Sequence, residues 1–398
     1  MAATPRASAS RFMPARAFKE LTWLAPFVCV GLITLAPLRP PPVLPPFAQS
    51  RIVTDAEGVN VAVPTPFRAI ADHGGSNFLE TTHAPEMLFK GGGAWDRDFW
   101  FASGLMARIY PQVLKDADRW NAPSDLESLL AYEDSATFLS PFMFGNRAEP
   151  LMRRIGLAAL SLSSHPKTKD ESIFTAIRIE AEAMANESQG ESFITGYQKA
   201  YADLKKDLRP EALTHVPRVV GMGSSASDWS RLFVFGSKET RFHHQYERAG
   251  VENATEPYED TGRQQDAERI LAMNPDIIFL VLESVQDFHR DPRWQGLKAV
   301  QNDRVYNGLR SVRGSVEPLH GLDFRPLWAR WMAEIAHPDR LQPKVRALLR
   351  DHFNEAYGYA LSDAEVDDLL RIDENKNSAG YARFTRDNIK STRQEATQ

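Results

Sequence analysis

One stretch of this chain occurs twice. Residues 125–139 (DLESLLAYEDSATFL) align without a gap on residues 266–280 (DAERILAMNPDIIFL), matching at Asp125/Asp266, Glu127/Glu268, Leu130/Leu271, Ala131/Ala272, Phe138/Phe279 and Leu139/Leu280. Each copy reads as a helix running into an apolar strand. A second pair, 67–71 (FRAIA) and 217–221 (PRVVG), opens the two halves in the same way. Between the copies, residues 171–208 carry almost no turn signal apart from Gly190 and Gly196. Phe193, Tyr197, Ala200, Tyr201, Leu204 and Leu208 fall there at helical spacing along one face, as a helix packed between lobes would place them.

The remaining segments suit the same plan. Residues 51–63 alternate apolar and polar side chains around Glu57-Gly58, which predicts a hairpin. Short apolar runs at 155–162, 218–222, 276–282 and 304–306 alternate with helix-compatible sequence, which favours largely parallel sheets covered by helices. The predicted fold class is therefore α/β, with two similar three-layer lobes joined by a long helix and a ligand cleft between them. The lobes span 51–165 and 216–335, the connecting helix 166–215, and residues 336–398 form a helical extension and tail. In such folds ligands bind in the crevice at the carboxyl ends of the strands.

Charge and cysteine content narrow the function. The chain has 47 basic and 52 acidic residues, a formal charge of −5. Arg6, Arg11, Arg16, Lys19 and Arg39 face only Glu20 within residues 1–50, so the rest is more acidic than the whole. An acidic body lacks the basic face that a nucleic-acid or anionic-membrane binder needs. Cys29 is the sole cysteine, which removes disulfides, zinc–thiolate sites, iron–sulfur clusters and thiol nucleophiles from the body. Residues 1–50 join a basic start, an uncharged apolar run at 21–38 and a Pro-rich exit to Ala48-Gln49-Ser50. That is the pattern of a secretory signal with maturation before Arg51. The apolar run also meets the lower length limit of a membrane span, so an uncleaved anchor is the competing reading.

Several segments resemble, in order, the bacterial periplasmic solute-binding proteins of iron-complex and cobalamin ABC importers. They are 51–64 (RIVTDAEGVNVAVP), 266–280, 298–306 (KAVQNDRVY), 319–323 (LHGLD) and 353–362 (FNEAYGYALS). The resemblance covers roughly 51–370, and residues 78–110 depart most from the family pattern. It implies a carrier with no catalytic residues and no cofactor, working as a monomer in the periplasm. Its partners would be a small-molecule metal complex and an ABC permease of the inner membrane, with no nucleic acid. In that family one glutamate on each lobe docks onto permease arginines, and these carry over to Glu127 and Glu268. Ser124 and Glu127 also have capping-box spacing, a competing use for Glu127.

Loops after the strands supply the candidate ligand residues: Ser76, Trp95, Arg97, Trp100 and Arg147 in the first lobe. The second lobe offers Ser225, Trp229, Arg231, Tyr246, Arg310 and Arg313. Ferric siderophores are bulky and often anionic, so arginines meet their carboxylates or catecholates while aromatic rings cover their apolar faces. An iron(III) complex is the expected ligand, with molybdate, haem and cobalamin as alternatives. An exported metal-dependent hydrolase using His83, His243 and His244 is the rival class. His243 and Glu247 share a helical face, but nothing nearby completes a metal set. Residues 373–377 imitate a calcium loop, yet Ser378 replaces its glycine and Phe384 its bidentate glutamate. Gly221 and Gly223 do not make a phosphate loop, and no Gly-x-Ser-x-Gly elbow exists.

Overall fold

Two largely parallel sheets, each built around one copy of the repeat, organise the structure. This is a computed structural model that describes residues 49–71, 87–91, 104–112, 126–129, 136–140, 149–162, 170–224, 232–235, 241–255, 264–265, 267–281, 284–310 and 324–386. Strands β1 (Ser50–Thr54) and β2 (Asn60–Pro64) form the antiparallel hairpin expected around Gly58, whose φ of 78° suits glycine. The Asp55 carboxylate accepts the Glu57 and Val59 amides at 2.9 Å, closing the turn. It also pairs with Arg153 and accepts the Ser161 amide, which fixes the hairpin to the first sheet.

That sheet runs β4-β3-β5-β6, all parallel, from β3 (Ala69–Ala71), β4 (Leu88–Gly91), β5 (Thr137–Ser140) and β6 (Ala158–Ser161). Its described helices are α1 (Leu105–Ile109), α2 (Leu126–Leu129) and α3 (Glu149–Arg154). Helices α4 (Asp170–Met184) and α5 (Glu187–Leu208) follow. The second sheet contains β7 (Arg218–Ser224), β8 (Leu232–Phe235), β9 (Glu252–Asn253), β10 (Gln264–Gln265), β11 (Ile277–Val281) and β12 (Val305–Asn307). Its order is β10-β8-β7-β11-β12, with β9 also pairing β7. Here β7, β11 and β12 are parallel, while β8 and β10 are antiparallel additions at one edge. In both sheets the strand that opens the half (β3, β7) pairs with the repeat strand (β5, β11), which pairs with the next (β6, β12). The second half continues through α6 (Arg241–Ala249), α7 (Ala267–Met273), α8 (Val285–Arg290) and α9 (Lys298–Gln301).

The period of two along β11 decides its packing. Ile277 and Phe279 enter one apolar cluster, and Ile278 and Leu280 enter a second on the opposite face. The first cluster runs on from Val53 in the hairpin to Trp328, Trp331 and Phe384 near the C-terminus, so one core serves both sheets. Gly223 is required by close approach, because a Cβ there would stand 2.8 Å from the Val281 carbonyl oxygen.

The connecting segment differs from the single helix expected over 166–215. It breaks at Ala185, where φ is 60° and the Asn186 amide donates back to the Ala181 carbonyl at 2.9 Å. A Cβ on Gly190 would lie 2.7 Å from that of Ala181, so α4 and α5 pack too closely there for a larger side chain. The 22-residue α5 remains the long connecting element. Its stripe is partly core: Tyr197, Leu204 and Leu208 are buried, whereas Ala200 is exposed.

The C-terminal region is structural. Helix α10 (Arg325–Ala336) is buried along its whole length. Helices α11 (Val345–Tyr357), α12 (Asp363–Leu369) and α13 (Ile372–Asn375) follow it. The buried Asn375 side chain accepts the Asn307 amide at 2.7 Å and donates to the Asn307 carbonyl at 2.9 Å. Ser378 donates to the Val305 carbonyl at 2.6 Å, and Tyr306 donates to that of Ala379 at 2.7 Å. Side chains thereby supply the hydrogen bonds that another strand would give β12, and they close this sheet edge. The residues that imitate a calcium loop serve this purpose.

The same region reaches the first half. Arg108 on α1 meets Glu365 on α12 at 2.9 Å, and Tyr110 packs edge-on against Tyr357. Against desolvation, which raises it, the Ser362 hydroxyl and amide, Tyr359 and Arg108 hold the Glu365 carboxyl at about 2. Its ordinary value is 4.5, so the stabilisation is complete above that pH and disappears as pH falls toward about 2. Acid unfolding should accordingly set in earlier for wild type relative to its own neutral plateau than for Glu365→Gln, whose melting temperature should start lower and fall less. Parallel melting curves from pH 6 to about 2 check this, and identical profiles would refute it.

Candidate functional site

Glu127 lies in the first turn of α2 and Glu268 in the first turn of α7, and both are exposed. Each helix leads into the repeat strand of its sheet, β5 or β11. The repeat therefore presents one acidic side chain from the same place in each half. Acidic side chains at helix N-termini are favoured by the helix dipole.

Of the predicted ligand residues, Ser76, Trp95, Arg97, Trp100, Arg147, Ser225, Trp229, Arg231 and Arg313 lie outside the described residues, as does His83. Tyr246 and Arg310 are corrections. Tyr246 is fully buried, and burial raises its phenol well above the usual range. It packs α6 onto β7 and offers no surface to a ligand. The Arg310 guanidinium meets Asp368 and Glu374, both at 3.3 Å, so its charge is already matched by α12 and α13. The expectation failed because its acidic partners sit some sixty residues away, in a segment whose docking the local pattern does not disclose.

His243 and His244 both turn to Glu247, with ring nitrogens 3.3 Å from its two oxygens. Among the described residues no group of three or more His, Cys, Asp or Glu could hold a metal ion. No described helix is long and apolar enough to cross a membrane, and residues 21–38 lie outside the described set.

Two features escaped sequence reading. One is an open groove of about 1030 Å³ between α5 and the pair α10 and α11, with Phe193, Tyr197 and Lys199 on one wall and His352 and Glu355 on the other. Its volume is that of a small-molecule pocket. The exposed Ala200 and the small Gly196 leave room for it, but only helix spacing reveals it.

The other is a polar cluster where α4, α5, α6 and α10 meet. Arg248 pairs with Asp170, and its guanidinium carbon lies 3.8 Å from the Tyr201 ring centroid. Tyr201 donates to Gln245 at 2.7 Å, and Tyr197 reaches Asp170 at 3.4 Å. Burial lowers the Arg248 guanidinium to about 10, and the neighbouring charge of Arg325 adds to the effect. Lone arginines on separate helices leave no motif, so nothing in the sequence marks them as neighbours.

Residues 156–309 match a family model described as periplasmic binding protein. Over 159 residues the chain is 26% identical to the Fe(3+)-citrate-binding protein YfmC of Bacillus subtilis (strain 168). That match takes in 38% of this chain and 47% of YfmC, so the chain spans about half the length of that curated relative. Among solved structures, a periplasmic solute binding protein from Veillonella parvula DSM 2008 superposes with a TM-score of 0.69 at 18% identity, over 82% of this chain and 99% of that one. The Haemophilus influenzae molybdate-binding protein MolA, bound to molybdate, gives 0.61 at 17% identity over 78% and 99% of the respective chains. Helicobacter pylori CeuE in a nickel–histidine complex gives 0.59 at 20% identity over 81% and 99%. These likenesses establish a common two-lobed fold.

Proposed function

We propose, from the match of residues 156–309 to the periplasmic binding protein model, that the chain is the extracytoplasmic solute-binding component of an ABC importer and delivers an iron(III) complex to its permease. The family is one of binding proteins, so no reaction and no cofactor is assigned to the chain, and the hydrolase alternative falls away.

The observation that carries the ligand class is the match to a protein named for binding Fe(3+)-citrate. A ferric complex of a polycarboxylate or siderophore joins negative charge to bulk. The arginines and tryptophans expected from the sequence to reach the ligand (Arg97, Arg147, Arg231, Trp95, Trp100 and Trp229) suit both. Molybdate is the competing ligand, since a small oxyanion needs only hydroxyls and backbone donors such as those around Ser76 and Ser225.

Cells lacking this protein should lose most high-affinity uptake of iron supplied as the ferric complex, and a plasmid copy should restore it. Unchanged iron uptake together with lost molybdate uptake would replace the ligand and keep the carrier.

A further inference from the structure

Among the described residues, the polar cluster holds more positive charge than its own side chains neutralise. Arg325 opens α10 and is 4% exposed, yet its Nε makes no hydrogen bond and no carboxylate among the described residues pairs with it. Helix α10 packs against both α5 and α6, which brings Arg325 into the neighbourhood of Tyr201 and Arg248; burial raises the Tyr201 phenol and lowers the Arg248 guanidinium, and the Arg325 charge lowers both. Asp170 is the acid of this neighbourhood, and Arg248 already engages it. Even so, Nη1 of Arg248 is buried with no hydrogen-bond partner. Phe324, the N-cap of this twelve-residue helix, provides no side-chain cap, so the positive end of the α10 dipole adds to the same sign.

Among the described residues, two guanidinium groups therefore face one carboxylate, which leaves one buried positive charge there without a counterpart. Such a charge is strongly unfavourable unless an anion accompanies it. The unpaired nitrogens of Arg248 and Arg325 are also donors, and forked donors of this kind match planar or tetrahedral oxyanions. We propose that Arg248, Arg325 and the α10 N-terminus, with Tyr201 as a wall, form a binding site for one small oxyanion, of the carboxylate or phosphate type. Two sources share that chemistry, a free inorganic oxyanion and a carboxylate of the cargo, and only the second rests on the carrier reading above.

Calorimetric titration of the full chain with sodium phosphate, after dialysis into a low-salt zwitterionic buffer, tests the site. Wild type should bind one phosphate and melt higher when it is bound. Arg325→Met should weaken phosphate binding by about tenfold to a hundredfold, the scale of a lost charge-assisted contact. In phosphate-free buffer the same variant should melt above wild type, since the unpaired charge is gone. Should Arg325→Met fail to fold, Arg325→Lys, which keeps the charge but not the fork, should still weaken phosphate by about tenfold. Ferric citrate that competes with phosphate would identify the cargo carboxylate as the occupant, and independent binding would identify a free oxyanion. No phosphate binding by wild type, or equal affinity in wild type and variant, overturns the proposal. If no ferric complex binds, the iron(III) reading fails while the phosphate result stands.

Discussion

Glu334→Ala should destabilise this protein by about 3–5 kcal/mol, the cost of removing one partner from a buried ion pair. The Glu334 side chain is fully buried and that of Arg330 nearly so, with Nε and Oε1 2.5 Å apart. Arg330 also donates to Asp207 at 2.6 Å and to the Gln342 carbonyl at 3.2 Å. Glu334 accepts the Lys344 and Val345 amides at 2.8 and 3.3 Å, and so satisfies donors at the start of α11. Burial raises the Glu334 carboxyl, against the pull of Arg330 and those amides. The alanine variant would leave the buried Nε of Arg330 and both amides without their acceptor, with Asp207 still holding the other side of the guanidinium. The group pins the end of α5 and the start of α11 to α10, so its loss should loosen the connecting helix at the second half. Against a typical total of about 5–15 kcal/mol the effect is large and readable as a urea midpoint. Substituting Glu191, whose ion pair with Arg178 is exposed on both sides, should leave the midpoint where it was. A midpoint equally indifferent to Glu334→Ala would show that the buried network is not organised as described.

The second large effect is on transport. Glu127→Ala and Glu268→Ala should each weaken docking to the permease by about 2 kcal/mol or more, as losing one partner of a desolvated interface charge pair does. Uptake should fall for each single variant and reach background for the double. Affinity for the ferric complex should stay within about twofold, because both carboxylates are exposed in the free protein and belong to helix starts rather than loops of the cleft. Uptake measured beside binding separates the two roles. Loss of ligand affinity in either variant, with uptake following it, would remove the docking assignment.

Much of the architecture was legible because the repeat made the chain its own alignment. Phe138 and Phe279, matched in sequence, both fall in repeat strands flanked on each side by parallel neighbours. Glu127 and Glu268 follow from the same match. The sharp break at Ala185 was not legible, since alanine is a strong helix former and the left-handed turn there answers to the packing of Gly190 on Ala181. Nor were the closures made by Asn375, Ser378 and Glu365, where short local patterns act on residues sixty or more positions away or, for Arg108, over two hundred and fifty. Tyr246 shows the converse error. Polar-tipped aromatics in a second-half loop or helix suit a cleft wall by composition, but α6 turns this one into the core. Arg248 and Arg325 were missed for the same reason that Arg310 was misread: a charge is defined by its partners, and those come from other helices.

The central claim, that this chain carries an iron(III) complex, is tested most directly by tryptophan fluorescence during titration of the purified exported protein with ferric citrate or a ferric siderophore. The expected result is saturable quenching at one equivalent, with a dissociation constant at or below about 1 μM, corresponding to about −8 kcal/mol. Trp95, Trp100 and Trp229 are the reporters expected near a coloured ligand. Saturable binding of molybdate with no response to any ferric complex would contradict the claim.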